Sequence, residues 1–138
     1  MRLIAALAIL IFVTDHLTKY FALRHLRLGV PVPVVDGFFA LTLVMNPGLA
    51  CGRLGGIPES LRWMVGVLSL GALILLAVLA ARVLPTGGPW ARVALGLIFG
   101  GAAGNLVDRV RFGAVVDFLD FYWRDYHWPA FNVAEKKK

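Results

Sequence analysis

Charge is what this sequence has least of. Of its 138 residues, 16% are charged and 59% are hydrophobic, and the mean hydropathy is +0.78. A soluble domain carries about 25% charged residues, so the balance argues for a membrane protein and against a soluble globular one. Cysteine is almost missing: Cys51 stands alone, which excludes an intrachain disulfide and every multi-cysteine zinc pattern. His16, His25 and His127 are scattered without metal-ligand spacing, so neither a metal nor another cofactor is expected. A net charge of +6 raises the question of nucleic acid. The basic residues, however, form no run interleaved with aromatics. They flank apolar segments, Arg82 and Arg92 around one loop and Arg109 and Arg111 after another, and nucleic acid is not an expected partner. There is no internal repeat, and the length suits a single domain.

What is present is three long apolar segments. The first covers about residues 3–23, "LIAALAILIFVTDHLTKYFAL". Its run Leu3–Val13 has the length of a signal-peptide core, but Asp15 and Lys19 follow instead of a small-residue cleavage site, so a retained anchor is expected. The second, about 61–84, contains nineteen residues without a charge from Trp63 to Ala81, with Trp63 and Arg82 as interface anchors. The third spans about 90–108. Its Gly96, Gly100 and Gly104 fall four apart, which lets another helix approach closely along one face. Nothing apolar follows Val133, so three spans are expected. Between the first two lies a β-rich stretch, about 30–50, "VPVVDGFFALTLVM" followed by "NPG". Asp36-Gly37 between two such runs signals a hairpin. The expected architecture is a single, mainly α-helical integral membrane domain with a small extramembrane β-sheet between helices one and two.

The polar residues within the spans carry whatever chemistry there is. Asp15, Thr18 and Lys19 share one face of the first helix, and Asn105, Asp108 and Arg109 repeat that spacing on the third. An ionisable group at the centre of a membrane costs about 2.5 kcal/mol or more and usually faces a partner or a cavity. Spacing alone leaves two readings open: structural ion pairs that hold the helices together, or a site. Asp117 lies between "RFGAVV" and "FLDFYW", an aromatic run of the interfacial kind. A carboxylate there is partly desolvated and holds its proton more readily. Two such carboxylates close together would share one proton, one activating a water while the other protonates a scissile carbonyl or leaving group. That chemistry needs no metal or cofactor. The alternative for Asp117 is a helix cap or a partner for Arg109 or Arg111.

Four blocks in order now suggest a family. "DHLTK" at 15–19 resembles D-x-x-T-K, and "NPGLACG" at 46–52 resembles N-x-G-x-A-F/W-G. "GGAAGNLVDRVRFGAVVDF" at 100–118 resembles G-N-x-x-D-R…G-x-V-x-D-F, and "FNVAE" at 131–135 resembles F-N-x-A-D. Together the chain resembles the lipoprotein signal peptidases, the bacterial signal peptidase II family. The resemblance implies a multi-pass aspartyl endopeptidase of the bacterial inner membrane. It would cut lipid-modified prolipoproteins just before the diacylglyceryl cysteine. It also implies Asp117 and position 135 as the catalytic pair. Asn46, Gly48, Asn105, Asp108, Arg109 and Asn132 would line or brace the site, and Asp15 and Lys19 match the block on the first helix. In that picture Asn105 and Asn132 position substrate and carboxylates, and Arg109 pairs with Asp108 or Asp117. The implied partners are prolipoprotein substrates and membrane lipids, with the protein a monomer.

The chain departs from the family pattern in three places. Cys51 stands where an aromatic is usual and reads as a small buried hydrophobe. Glu135 stands where the second aspartate is usual and reaches one methylene further. A misplacement of about 1 Å can cost about 100-fold in rate, so slow catalysis or none is expected from it. The family opens a fourth membrane helix here, whereas only Lys136–Lys138 follow. Terminal residues are usually mobile, and an acid pair has to be held to within about 0.5 Å. Two other readings therefore stand beside the peptidase. One is a catalytically impaired or truncated relative that binds precursors without cleaving them. The other is a small structural or channel-like membrane protein, for which Asp117→Asn would leave function and precursor binding unchanged. The family orientation has the N-terminus in the cytoplasm and the sheet outside. It rests on the resemblance alone, because Arg82 and Arg92 on the inner loop are outnumbered by Lys19, Arg24, Arg27, Arg53 and Arg62 on the other side.

Overall fold

The structure is a computed structural model that describes residues 1–47, 62–124 and 126–134. Three helices in it are long and apolar enough to cross a membrane. Helix α1 (Arg2–His25) ends where Leu26 turns extended. Helix α2 (Arg62–Val83) is the most apolar. Helix α3 (Pro89–Phe112) starts with Pro89 in its first turn after Gly88, a position that lacks no hydrogen bond by having proline. It runs four residues beyond the expected end at 108. Nothing in Arg109–Phe112 breaks a helix, and the stop comes at Gly113, left-handed with φ 67°, whose N–H caps Arg109 O.

The glycines four apart on α3 do set the helix packing. A Cβ built on Gly96 would sit 2.7 Å from Leu7 Cβ, and one on Gly100 would sit 2.8 Å from Ile11 Cβ. A Cβ on Gly104 would collide with Asp15 Oδ2. The order of these contacts, with 96 on 7, 100 on 11 and 104 on 15, shows that α1 and α3 run parallel at close range. Gly66 and Gly71 on α2 face open space, and large side chains such as Leu68 and Val67 on that helix point outward.

A four-stranded antiparallel sheet caps one end of the helices. Its order is β1 (Val32–Val35), β2 (Phe39–Asn46), β3 (Val115–Trp123) and β4 (Tyr126–His127). The expected hairpin is there: Asp36, Gly37 and Phe38 form the turn, with Gly37 at φ 75°. The expectation of a sheet lying between helices one and two needs correction, because half of the strands come after α3. "VVDFLDFYW" is not only an interfacial aromatic run but β3 itself. Its first half is buried residue after residue, so the alternation that marks a half-exposed strand is absent from the sequence. Ala22 at the end of α1 packs with Leu43, Val116 and Phe118 of the sheet. This core fixes the strands against the helix ends.

Candidate active site

Asp117 sits in β3 opposite Val44 of β2 and is 1% exposed. Gly113 turns the chain out of α3, and the strand then carries the carboxylate into the junction of sheet and helices. Both of its oxygens accept hydrogen bonds. Asn46, the last residue of β2, donates from Nδ2 to Oδ2 at 2.9 Å. Asn132 donates from Nδ2 to Oδ1 at 2.8 Å.

Asn132 arrives by a fold-back of the chain after β4. Trp128 N–H donates to Phe121 O at 2.8 Å. Leu119 and Phe131 exchange both backbone bonds, at 2.8 and 3.0 Å. Phe39, Phe121 and Phe131 stack successively, with centroids 4.6 and 5.7 Å apart. Asn132 is thereby fully buried, and its Oδ1 accepts the Ala134 N–H at 2.9 Å, the local turn bond that Asn side chains favour. Up to Ala134, then, the segment near the C-terminus is tied to β3. Glu135, Gly48 and Cys51 lie outside the described residues.

Behind Asp117 is a buried polar cluster between α1 and α3. Lys19 Nζ lies 2.7 Å from Asp15 Oδ2, 2.6 Å from Asp108 Oδ2 and 2.9 Å from Asn105 Oδ1. All four residues are buried. Asp108 Oδ2 also accepts the Val116 N–H at 3.2 Å, the backbone next to Asp117. The open question about Asp15 and Lys19 thus has a combined answer: they are an ion pair, and the pair belongs to the polar cluster that reaches Asp117. Thr18, on the same face in sequence, turns back onto Thr14 O and Asp15 O and stays outside the cluster.

Arg109 was expected to pair with Asp108 or Asp117; Asp108 is held by Lys19 instead. Arg109 follows Asp108 directly, so it points about 100° further round the helix. It lines a crevice of about 470 Å³ between α2 and α3 together with Asn105, Ser69 and Leu73. Its Nε is buried and has no hydrogen-bond partner among the described residues. The helix-cap alternative for Asp117 also falls, since the residue is inside a strand.

Asn105 reaches a second, larger space. A cleft of about 1020 Å³ runs beside the site, lined mainly by apolar groups that include Ile11, Leu97, Phe121, Trp128 and Phe131. An apolar cleft with a few converging polar groups is the usual form of a ligand site. Among the described residues no group of three His, Cys, Asp or Glu is arranged to hold a metal.

One polar cluster was missed in the sequence. Asp120 is buried, accepts from Thr42 Oγ1 at 2.9 Å and lies 3.1 Å from His127 Nδ1. The signal was the D-x-x-D spacing in a strand. Residues three apart in a strand point to opposite faces, so Asp120 cannot be the second carboxylate for Asp117.

Residues 7–136 match the sequence profile of "Signal peptidase (SPase) II". A lipoprotein signal peptidase of Syntrophus aciditrophicus (strain SB) is 43% identical over 130 residues, covering 91% of this chain and 78% of the relative. One from Geobacter sulfurreducens is 43% identical over 134 residues, covering 97% and 82%. One from Desulforapulum autotrophicum is 46% identical over 133 residues, covering 91% and 78%. Among solved structures, a bacterial membrane enzyme superposes with a TM-score of 0.69 at 30% identity, covering 94% of this chain and 76% of that one.

Proposed function

Because the chain belongs to the signal peptidase II family, we propose that Asp117 and the acid at position 135 are the catalytic pair with which it processes prolipoproteins. The activity itself follows from the family: the protein is an aspartyl endopeptidase that removes signal peptides from lipoprotein precursors. The bond cut is the one before the lipidated cysteine. The two carboxyl groups share one proton, so that one takes a proton from the attacking water as the other protonates the carbonyl.

The observation that carries this reading is the double amide grip on Asp117, beside a large apolar cleft. The cleft suits a lipidated and largely apolar substrate. Asn105 borders the cleft and the α2–α3 crevice and is suited to hold the substrate backbone. Arg109, whose Nε has no hydrogen-bond partner among the described residues, offers donors to a substrate carbonyl from the crevice. Asp15, Lys19 and Asp108 brace the site from α1 and α3. In the same reading Gly48, carried over from the family pattern, lines or braces the site. The protein acts as a monomer in the bacterial inner membrane, with lipid against the outward side chains of α1 and α2 such as Ile9 and Leu68.

The test is cleavage of a lipidated prolipoprotein in membranes by the chain, by Glu135→Asp and by Asp117→Asn. Cleavage by the chain, faster with Glu135→Asp and lost with Asp117→Asn while the precursor still binds, is expected. Full cleavage by Asp117→Asn sinks the assignment. Binding without cleavage by both the chain and Glu135→Asp would instead mark a precursor-binding relative.

A further inference from the structure

We propose that Gly101 is a positioning residue: its missing side chain seats the segment 131–134 on α3 and so sets the reach of Asn132 to Asp117. The inference rests on the reading of Asp117 as a catalytic acid and adds a residue that acts through Asn132.

Gly101 is outside the glycine face that meets α1. It comes one residue after Gly100, so it points about 100° further round α3. The two neighbours have different partners. A Cβ on Gly100 would meet Ala8 O and Ile11 Cβ of α1, whereas one on Gly101 would stand 2.6 Å from Ala134 O. Gly101 is itself buried. Asn105, one turn further along the same face, accepts from Asn132 Nδ2 at 3.2 Å. The segment therefore lies lengthwise on α3, with Asn132 on Asn105 and Ala134 on Gly101. The spacings agree, because one helical turn rises about 5.4 Å and two extended residues span at most about 7 Å. Close approach at position 101 lets both contacts exist together.

Ala134 reaches the site through Asn132. Its N–H donates to Asn132 Oδ1 at 2.9 Å. The NH2 group of the same amide has two hydrogens. Three acceptors surround it: Asp117 Oδ1 at 2.8 Å, Asn105 Oδ1 at 3.2 Å and Val116 O at 3.3 Å. These contacts settle which way round the amide lies. Which acceptor receives the short bond depends on where the amide sits, and the Ala134 N–H holds its other end.

A methyl group at 101 forces a move. Carbon and carbonyl oxygen ordinarily stay about 3.3 Å or more apart, so a separation of 2.6 Å is too close by roughly 0.7 Å. Helix α3 is packed on α1 at Gly96, Gly100 and Gly104 and cannot shift without opening that seam. The segment gives way instead. Among the described residues its backbone is paired to the sheet as far as Phe131 and no further. Phe131 stays, Ala134 lifts, and the Asn132 amide is drawn off Asp117. Site residues have to be held to within about 0.5 Å, and a full ångström can cost about 100-fold in rate. Part of that displacement should lower kcat on the order of tenfold. Gly101 and Ala134 also border the large cleft, so an effect exerted as cleft wall would appear in KM instead.

The experiment compares the chain with Gly101→Ala and Gly100→Ala. Three quantities are read: cleavage kinetics on a lipidated prolipoprotein, the thermal midpoint in detergent, and hydrogen exchange of the peptide containing 131–134 by mass spectrometry, which needs no turnover. Gly101→Ala is expected to lower kcat on the order of tenfold, to leave KM unchanged, and to speed exchange in 131–134. Gly100→Ala presses on α1 and should lower the midpoint more and kcat less. Unchanged kcat or unchanged exchange in Gly101→Ala, a raised KM with kcat intact, or a larger kcat loss in Gly100→Ala overturns the proposal. If Gly101→Ala does not fold, Ala134→Pro removes the same anchor from the segment side, because proline has no N–H to donate to Asn132 and α3 is left as it is. It should lower kcat with KM unchanged, and full kcat again overturns the proposal. Asp117→Asn that still cleaves would refute the reading of the site. A dead Asp117→Asn beside a fully active Gly101→Ala would refute only the positioning role.

Discussion

At the scale of single residues, the site is a matter of who donates to whom. A carboxylate buried to 1% exposure is costly unless its oxygens are satisfied, and Asp117 meets that condition with two asparagines from different strands of sequence. Asn46 is the simpler of the two to test, because it serves Asp117 from the end of β2, whereas Asn132 also bonds Asn105 and the Ala134 backbone. A hydrogen bond to a charged group contributes about 1.5–3 kcal/mol, so Asn46→Ala should lower kcat by about 10- to 100-fold. Precursor binding should persist, and a kinetic comparison at saturating substrate reads the difference. Unchanged kcat would mean that Asn46 does not hold the carboxylate. At this scale the sequence was partly legible. It selected Asn46, Asn105, Asp108, Asn132, Asp15 and Lys19 by resemblance. It did not show that Lys19 holds Asp108, because the contact joins two helices far apart in sequence, and Arg109, next to Asp108, points about 100° away from it round the helix.

At the scale of elements, the decisive contact is α1 against α3. Glycines spaced by four were read as a face for close approach, and the structure brings α1 against that face. The partner and the direction were not legible, since a small-residue stripe accepts any helix that can approach it. The two glycine classes predict opposite outcomes. Gly104→Ala places a methyl group against Asp15 Oδ2. Overpacking of this kind costs about 1–3 kcal/mol, and the thermal midpoint in detergent should fall. Gly71→Ala meets nothing within 4 Å, and replacing a helical glycine by alanine is worth about 0.5–1 kcal/mol, so its midpoint should hold or rise. Equal effects at the two positions would show that α1 and α3 are not packed along this face. The strand β3 was misread for a related reason. A strand covered on both sides shows no alternation, and only its tertiary neighbours distinguish it from an apolar interfacial segment.

At the scale of the whole molecule, the three helices and one sheet among the described residues give a two-ended object. The C-terminal ends of α1 and α3 meet the sheet, and the start of α2 lies beside the end of α3, whereas the α2–α3 turn at 84–88 lies at the other end. Cysteines introduced at Thr86 and Val34, both exposed, in a Cys51→Ser background should react with an impermeant maleimide from opposite sides of the membrane. Reaction of both from one side would contradict three spanning helices. The charge count could not assign the sides, because the flanking arginines and lysines are more numerous on the sheet side than on the turn. The polar cluster has a whole-molecule consequence too. Asp15 and Lys19 come from the first span, Asn105 and Asp108 from the third, and Asn132 from the last described segment. The site therefore exists only when helices and sheet are assembled together.

By itself the sequence determined the solvent and the parts: a charge-poor chain with three apolar runs of membrane length, a glycine-spaced face, a hairpin at Asp36-Gly37, and four ordered blocks that identify the family. These are local or compositional properties, written in runs and spacings short enough to read along the chain. Tertiary structure alone decided that β3 completes the sheet, that α1 runs parallel to α3, that Lys19 binds three partners at once, and that Asn132 folds back 15 residues to hold Asp117. Each of these depends on groups brought together across long stretches of chain, such as the 86 residues between Lys19 and Asn105. The free energy that selects such pairings is the burial and mutual satisfaction of polar groups, and no spacing in the sequence records it.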